Sequence, residues 1–154
     1  MYKDKIVGNR IDNKLGSLKA DSSIALVPYL TVGYPDISSF YEIANSVLDS
    51  GADMLELGIP FSDPLADGPT IQMTSFKALE NGVNMHTAFD IAQKIRTENP
   101  ETPLIFMGYF NPFLTYGISE FMDKADSVGI DGIIIPDLPS EEAEDIARLC
   151  KGKG

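Results

Sequence analysis

At 154 residues the chain is long enough for one domain with a sizeable core, and a composition of 44% hydrophobic and 23% charged residues argues against disorder. A net charge of −11 repels phosphate backbones and weighs against nucleic-acid binding, while leaving room for a local phosphate site on a small substrate. Cys150 is the only cysteine, so no internal disulfide forms, which fits a reducing cytoplasm; no apolar run approaches the roughly 20 residues of a membrane helix, and MYKDKIVGNRIDNK lacks the apolar core of a signal peptide.

Residues 1–20 form a polar leading segment, in which Ile6, Ile11, Leu15 and Leu18 are spaced for a short helix. Ile24 to Val32 reads as the first strand; Pro28 removes a ladder donor, so this strand should be interrupted or lie at an edge. Ser39 and Glu42 have capping-box spacing, and Phe40, Ile43, Ala44, Val47 and Leu48 make one buried helical face that stops at Gly51. A second strand over 53–58 follows, then a helix from Ile71 to Leu79 closed by Asn81-Gly82. Thr87 caps another helix with Ala88, Ile91, Ala92 and Ile95 on one face. A third strand, Leu104 to Met107, leads into an aromatic loop, GYFNPFLTYG. Ile118 to Val128 is a helix stopped at Gly129, and Gly132 to Ile135 is the fourth strand. Ser140 caps a last helix with Glu141 and Glu142 in its first turn. Ser50-Gly51-Ala52-Asp53 resembles Val128-Gly129-Ile130-Asp131, a weak internal repeat of helix, Gly stop, one residue, Asp, strand. Strands alternating with helices imply right-handed crossovers and a parallel sheet.

The chemistry concentrates in MLELGIPFSDPLADGPTIQ, residues 54–72. Strand parity puts Leu55 and Leu57 on one face and Met54, Glu56 and Gly58 on the other. A charge has no good partner against an apolar helix, so Glu56 should point away from the helices, near the C-terminal strand end where α/β folds keep their active sites. Partial burial there raises its pKa and suits it to general acid–base work; the other reading is a Glu paired with a base or reaching solvent. Asp67 sits in a loop stiffened by Pro64 and Pro69, where Asp-Gly equally serves as turn chemistry, and Ser-Asp-Pro at Asp63 is an ordinary turn. No His or Cys lies near these acids in sequence, so no metal site is expected. His86, the single histidine, reads as a solvated loop residue. Tyr109, Phe110, Phe113 and Tyr116 form either an apolar wall for a planar ligand or simple packing. Walker, GxGxxG and nucleophile-elbow motifs are absent.

LELGIPFSDPLADGPTIQ resembles the signature of the tryptophan synthase alpha subunit, and PYLTVGYPD, GYFNPFLTYG and DGIIIPDLP extend the resemblance over nearly all of the chain from Ile24 onward. The resemblance implies a TIM (β/α)8 barrel, here an N-terminal half-barrel of four parallel strands with helices on one face. It implies a lyase of tryptophan biosynthesis, cleaving indole-3-glycerol phosphate by a retro-aldol step to indole and glyceraldehyde 3-phosphate. By resemblance Glu56 and Asp67 match the family's catalytic carboxylates. Met107 and Tyr109 match substrate-pocket positions, and Tyr29 falls where an aromatic packs near the indole. Asp63, Asn111 and Pro112 match segments facing a tryptophan synthase beta subunit in an alpha2-beta2 type assembly. The alpha subunit carries no cofactor; pyridoxal phosphate is expected only on the beta partner.

The family's barrel has eight βα units in roughly 250 residues, with phosphate-binding loops after strands seven and eight. The expectation for this chain is a single partial barrel domain over 1–154, with four βα units in 24–150. It supplies proton-transfer groups without the phosphate cradle, so turnover by the monomer should be weak or absent. The alternative is a non-catalytic half-barrel that binds a beta-type subunit or itself, and a third reading is a truncated gene or incomplete chain.

Overall fold

A computed structural model describes residues 9–153. Ile6 of the expected leading helix lies outside the described residues, as does Gly154 of the Lys-Gly-Lys-Gly tail. The chain order is α1 (Arg10–Ala20), β1 (Tyr29–Thr31), α2 (Ile37–Asp49), β2 (Leu55–Gly58), α3 (Pro69–Glu80), α4 (Met85–Glu98), β3 (Leu104–Met107), α5 (Phe110–Tyr116), α6 (Ile118–Val128), β4 (Gly132–Ile134) and α7 (Glu144–Lys151). All four strands are parallel, in the order β1-β2-β3-β4. β1 is therefore an edge strand, and it is shorter than the expected Ile24–Val32. Pro28 has no N–H to give, so the ladder starts just after it, while Ile24 and Leu26 stay largely exposed.

Two expected caps fall three residues late. Asp36, not Ser39, caps α2, its carboxylate accepting the Ser39 N–H at 2.9 Å. Asn84, not Thr87, caps α4 and accepts the Thr87 N–H at 3.1 Å. In each case the hydroxyl residue sits one turn inside the helix and bonds back to the cap, Ser39 Oγ to Asp36 Oδ2 at 2.7 Å and Thr87 Oγ1 to Asn84 Oδ1 at 3.3 Å. The Asx cap and the hydroxyl residue thus act as a pair, and spacing alone does not say which member is outside. The last helix begins at Glu144 rather than at Ser140, whose hydroxyl bonds the Glu141 carboxylate instead.

The aromatic loop also folds into a helix, α5. Pro112 occupies its first turn, where a missing N–H costs nothing. The free N–H of Phe110 is taken by Asp137 Oδ1 at 2.9 Å, from the loop after β4.

One face of the sheet meets the helices. Leu55, Leu57, Leu104 and Phe106 are fully buried there beneath Phe40, Ala44, Ala88, Phe89, Ala92 and Ile95. Phe113 and Phe121 stack at 4.5 Å and extend this layer over α5 and α6. Burying a side chain of this size contributes roughly 1.5–3 kcal/mol, so this face supplies most of the hydrophobic stabilisation.

The internal repeat has a structural counterpart. Asp53 accepts the Leu26 N–H at 2.9 Å and Asp131 the Leu104 N–H at 2.9 Å, while each aspartate's own N–H bonds that same residue's carbonyl. An aspartate at the foot of each even strand thus fastens the foot of the odd strand before it. α1 covers these feet through Arg10–Asp131 at 2.9 Å and Lys14–Asp53 at 3.7 Å, with Ile11 against Gly132. With the N-terminal end of the sheet covered, the C-terminal end carries the loops that concern function.

Candidate active site

On the face turned away from the helices, strand pairing aligns Tyr29, Glu56, Ile105 and Gly132 in one row. The next row toward the C-terminal end holds Thr31, Gly58, Met107 and Ile134. Glu56 therefore faces away from the apolar layer, as its parity requires. It is half-buried, its carboxyl makes no hydrogen bond or ion pair with any described residue, and burial raises its pKa above the ordinary glutamate value. Among the described residues, then, no basic side chain pairs with Glu56.

Tyr29 leans along its strand so that its ring and hydroxyl lie over Gly58, against the space a Cβ would fill. Burial raises the pKa of its phenol, and the nearby charges of Asp67 and Glu56 push in the same direction. Gly58→Ala should therefore displace the Tyr29 ring and cost about 1–3 kcal/mol by overpacking. Urea denaturation measures the cost, and adding Tyr29→Leu should recover most of it; an unchanged midpoint in the single variant would contradict the contact.

Asp67 is set by the loop that follows β2. Its N–H closes a turn on the Pro64 carbonyl at 3.0 Å, and its own carbonyl accepts Gln72 Nε2 at 2.8 Å. Tyr109, buried just beyond β3, donates its hydroxyl to Asp67 Oδ2 at 3.1 Å and accepts the Ala66 N–H at 2.8 Å. Burial raises the Tyr109 pKa, and the Asp67 carboxylate adds to it. The Phe61 ring packs on Tyr109 with centroids 5.4 Å apart. Turn chemistry and a fixed carboxylate are thus both present at Asp67.

Tyr29, Glu56, Met107, Asp67 and Tyr109 gather at this C-terminal edge. Asp63 is exposed and takes a hydrogen bond from the Ser62 hydroxyl. Asn111 is exposed in the first turn of α5, and Pro112 lines an outer groove with Ile59, Pro60 and Tyr116. The aromatic cluster does not form one wall. Tyr109 faces the site, Phe113 is in the core, and Tyr116 packs on Phe89 and His86 at 5.5 and 5.1 Å. His86 itself lies in the first turn of α4, exposed as expected but helical. Among the described residues no three His, Cys, Asp or Glu side chains converge as metal ligands would. Gly58 shares the Glu56 face by parity, and Thr31 follows from Tyr29 in the same way, whereas Ile134 joins their row only through the register of β3 with β4.

A four-stranded parallel βα sheet with two carboxylates and two phenols at its C-terminal edge has the architecture of part of a β/α barrel, whose functional groups lie at that edge. The family described as Tryptophan synthase alpha chain matches residues 15–154, and the chain belongs to that family. It is 48% identical over 138 residues to a tryptophan synthase alpha chain of Thermoanaerobacter sp. (strain X514), covering 90% of this chain and 52% of that one. Against the Aquifex aeolicus alpha chain the figures are 44% over 142 residues, 92% and 54%. The crystal structure of tryptophan synthase subunit alpha from Legionella pneumophila superimposes with a TM-score of 0.93 at 41% identity, covering 96% of this chain and 56% of that chain. A chain of the Pyrococcus furiosus tryptophan synthase complex gives 0.79 at 41% identity, covering 84% and 53%. The chain thus spans about half the length of the relatives it matches, and its four strands are the corresponding half of their fold.

Proposed function

We propose that this chain carries the proton-transfer half of a site that cleaves indole-3-glycerol phosphate to indole and glyceraldehyde 3-phosphate. The observation that carries the reading is Glu56, a half-buried carboxyl of raised pKa with no partner among the described residues, at the C-terminal sheet edge of a member of this family. Cleavage requires a proton on indole C3 and loss of the proton from the hydroxyl of the adjacent glycerol carbon. The electrons of the broken C–C bond return to the ring, and the hydroxyl oxygen becomes the aldehyde carbonyl. One carboxyl of raised pKa gives the first proton and takes the second, so it ends as it began. Protonation at C3 leaves positive charge on the indole nitrogen. Asp67, oriented by the Tyr109 hydroxyl, is placed to accept that N–H and stabilise the charge.

Tyr29, Met107 and Tyr109 are assigned to holding the ring. Barrels of this kind bind phosphate after strands seven and eight, so the proposal gives these residues proton transfer and ring binding, not phosphate. Residues 24–150 are read as four βα units of one partial barrel domain. Asp63, Asn111 and Pro112, with exposed Leu65 and Leu114 beside them in sequence, are read as the face for a beta-type partner. That partner would hold pyridoxal phosphate, with none on this chain, and a biosynthetic lyase of this kind would work in the cytoplasm.

The test is indole release from indole-3-glycerol phosphate by the chain mixed with a fragment carrying the remaining strands of the Aquifex aeolicus relative. Release that depends on both pieces is the expected result; none from a folded mixture would defeat the reading. In the same assay Tyr109→Phe, which removes the hydroxyl from Asp67 and Ala66, should lower turnover about tenfold, the worth of one hydrogen bond to a charged group.

A further inference from the structure

Two adjacent residues of α3, Thr74 and Ser75, have no part in the reading above, yet both turn their hydroxyls toward the sheet. Ser75 is 4% exposed, and its Oγ accepts the Phe61 N–H at 2.9 Å and donates to the Phe61 carbonyl at 3.3 Å. A serine within a helix usually bonds its own preceding turn; this one grips the root of the Asp67 loop instead. Thr74 Oγ1 lies 2.7 Å from Thr31 Oγ1 at the C-terminal end of β1, and bonds the Ile71 carbonyl at 3.0 Å. Thr31 is itself buried, and its Oγ1 is 3.4 Å from the Tyr29 hydroxyl.

α3 starts at Pro69, immediately after Asp67 and Gly68. Thr74 and Ser75 lie about one and a half turns, or ~8–9 Å, along the same helix. A slide or roll of α3 would carry Asp67 with it, and besides the packing of buried Ala78 the two hydroxyl contacts resist such displacement relative to β1 and the loop root. The far end of the loop is held separately, by Tyr109 on Ala66 and Asp67.

We propose that Thr74 and Ser75 are positioning residues that lock α3 to β1 and to Phe61 and so fix Asp67 relative to Glu56. The claim deepens the reading of Glu56 and Asp67 as a proton-transfer pair and rests on it. Its first test does not depend on turnover. Amide hydrogen exchange is followed by NMR on the full chain, parent against Ser75→Ala, the isosteric Thr74→Val, and Thr74→Ser. The decisive amide is Ala66, which bonds to Tyr109 and touches neither variant site. Its exchange should quicken about tenfold in Ser75→Ala and Thr74→Val, the effect of losing one hydrogen bond's worth of local stability. Thr74→Ser should restore the parent rate, and the Leu57 and Phe106 amides should stay protected throughout. Should Ser75→Ala lose the sheet amides, the two Thr74 variants decide alone.

Ala66 exchange within about twofold of parent in Thr74→Val would overturn the proposal, since the loop would then hold its place without α3. In the two-fragment assay the same variants should lower kcat about tenfold with KM nearly unchanged, and Thr74→Ser should rescue it. A parent mixture that releases no indole would count against the functional reading alone, because the exchange result still decides the positioning claim.

Discussion

Glu56→Gln should lower indole release by about 10²–10⁴-fold, the usual contribution of one general acid–base group. The amide keeps the size and position of the side chain but neither gives nor takes a proton at C3 or at the glycerol hydroxyl. Its surroundings ask little of its charge, because the carboxyl has no hydrogen-bond or ion-pair partner among the described residues. The fold should therefore persist, with KM near parent and kcat lost. Turnover unaffected by the substitution would remove the acid–base assignment.

The same burial has a consequence for stability. It raises the Glu56 pKa in the folded chain above that in the unfolded chain. Between the two values the native state holds the extra proton, so stability falls as pH rises through that window. Below the unfolded value the group is protonated in both states and contributes no slope. Glu56→Gln removes the penalty and should be more stable than parent above the window, a gain in stability obtained with the loss of catalysis. Urea midpoints from about pH 4 to pH 8 should show the parent losing ground to the variant as pH rises, and parallel curves would contradict the raised pKa.

Asp131→Ala should cost about 3–5 kcal/mol, the usual penalty for leaving a buried charge without its partner. Arg96 is almost wholly buried, and its guanidinium bonds Asp131 Oδ2 at 2.7 Å and the carbonyls of Asn99, Pro100, Thr102 and Gly129. Without the carboxylate the guanidinium keeps its bonds to the carbonyls but loses its counter-charge and the bond to it, and Leu104 loses the acceptor for its N–H. Arg10→Ala removes only the half-exposed member of the cluster and should cost no more than about 1 kcal/mol. The repeat-related Asp53→Ala should fall between them. Asp53 makes the same backbone bond as Asp131, but its cation, Lys14, is 3.7 Å away and 36% exposed. Denaturation midpoints rank the three, and an Asp131→Ala loss no larger than that of Arg10→Ala would mean that Arg96 is satisfied by carbonyls alone.

The spacing of apolar residues placed β3 and α6 without error, because each is a short apolar run or a one-faced helix bounded by Pro or Gly. Errors arose where two residues competed for one role. Asp36 and Asn84 displaced Ser39 and Thr87 as caps because an Asx–hydroxyl pair separated by one turn reads alike in either direction. α5 was missed because the aromatic run looked like a loop, and the bond that satisfies its first N–H comes from Asp137, in the loop after the next strand. No local pattern carries that information.

The alternation of strands and helices, the family and the side of the sheet on which Glu56 lies are all legible in the order of residues along the chain. Parity and periodicity are properties of consecutive residues, and a carboxyl cannot sit against an apolar layer without a partner. It took the folded chain to show that the Glu56 carboxyl has no partner among the described residues, that Asp67 is held by Tyr109, and that Thr74 and Ser75 reach back to Thr31 and Phe61. Each of these depends on which groups, distant in the chain, meet across the sheet edge. Hydrogen bonds and burial select among those meetings only once the sheet has formed.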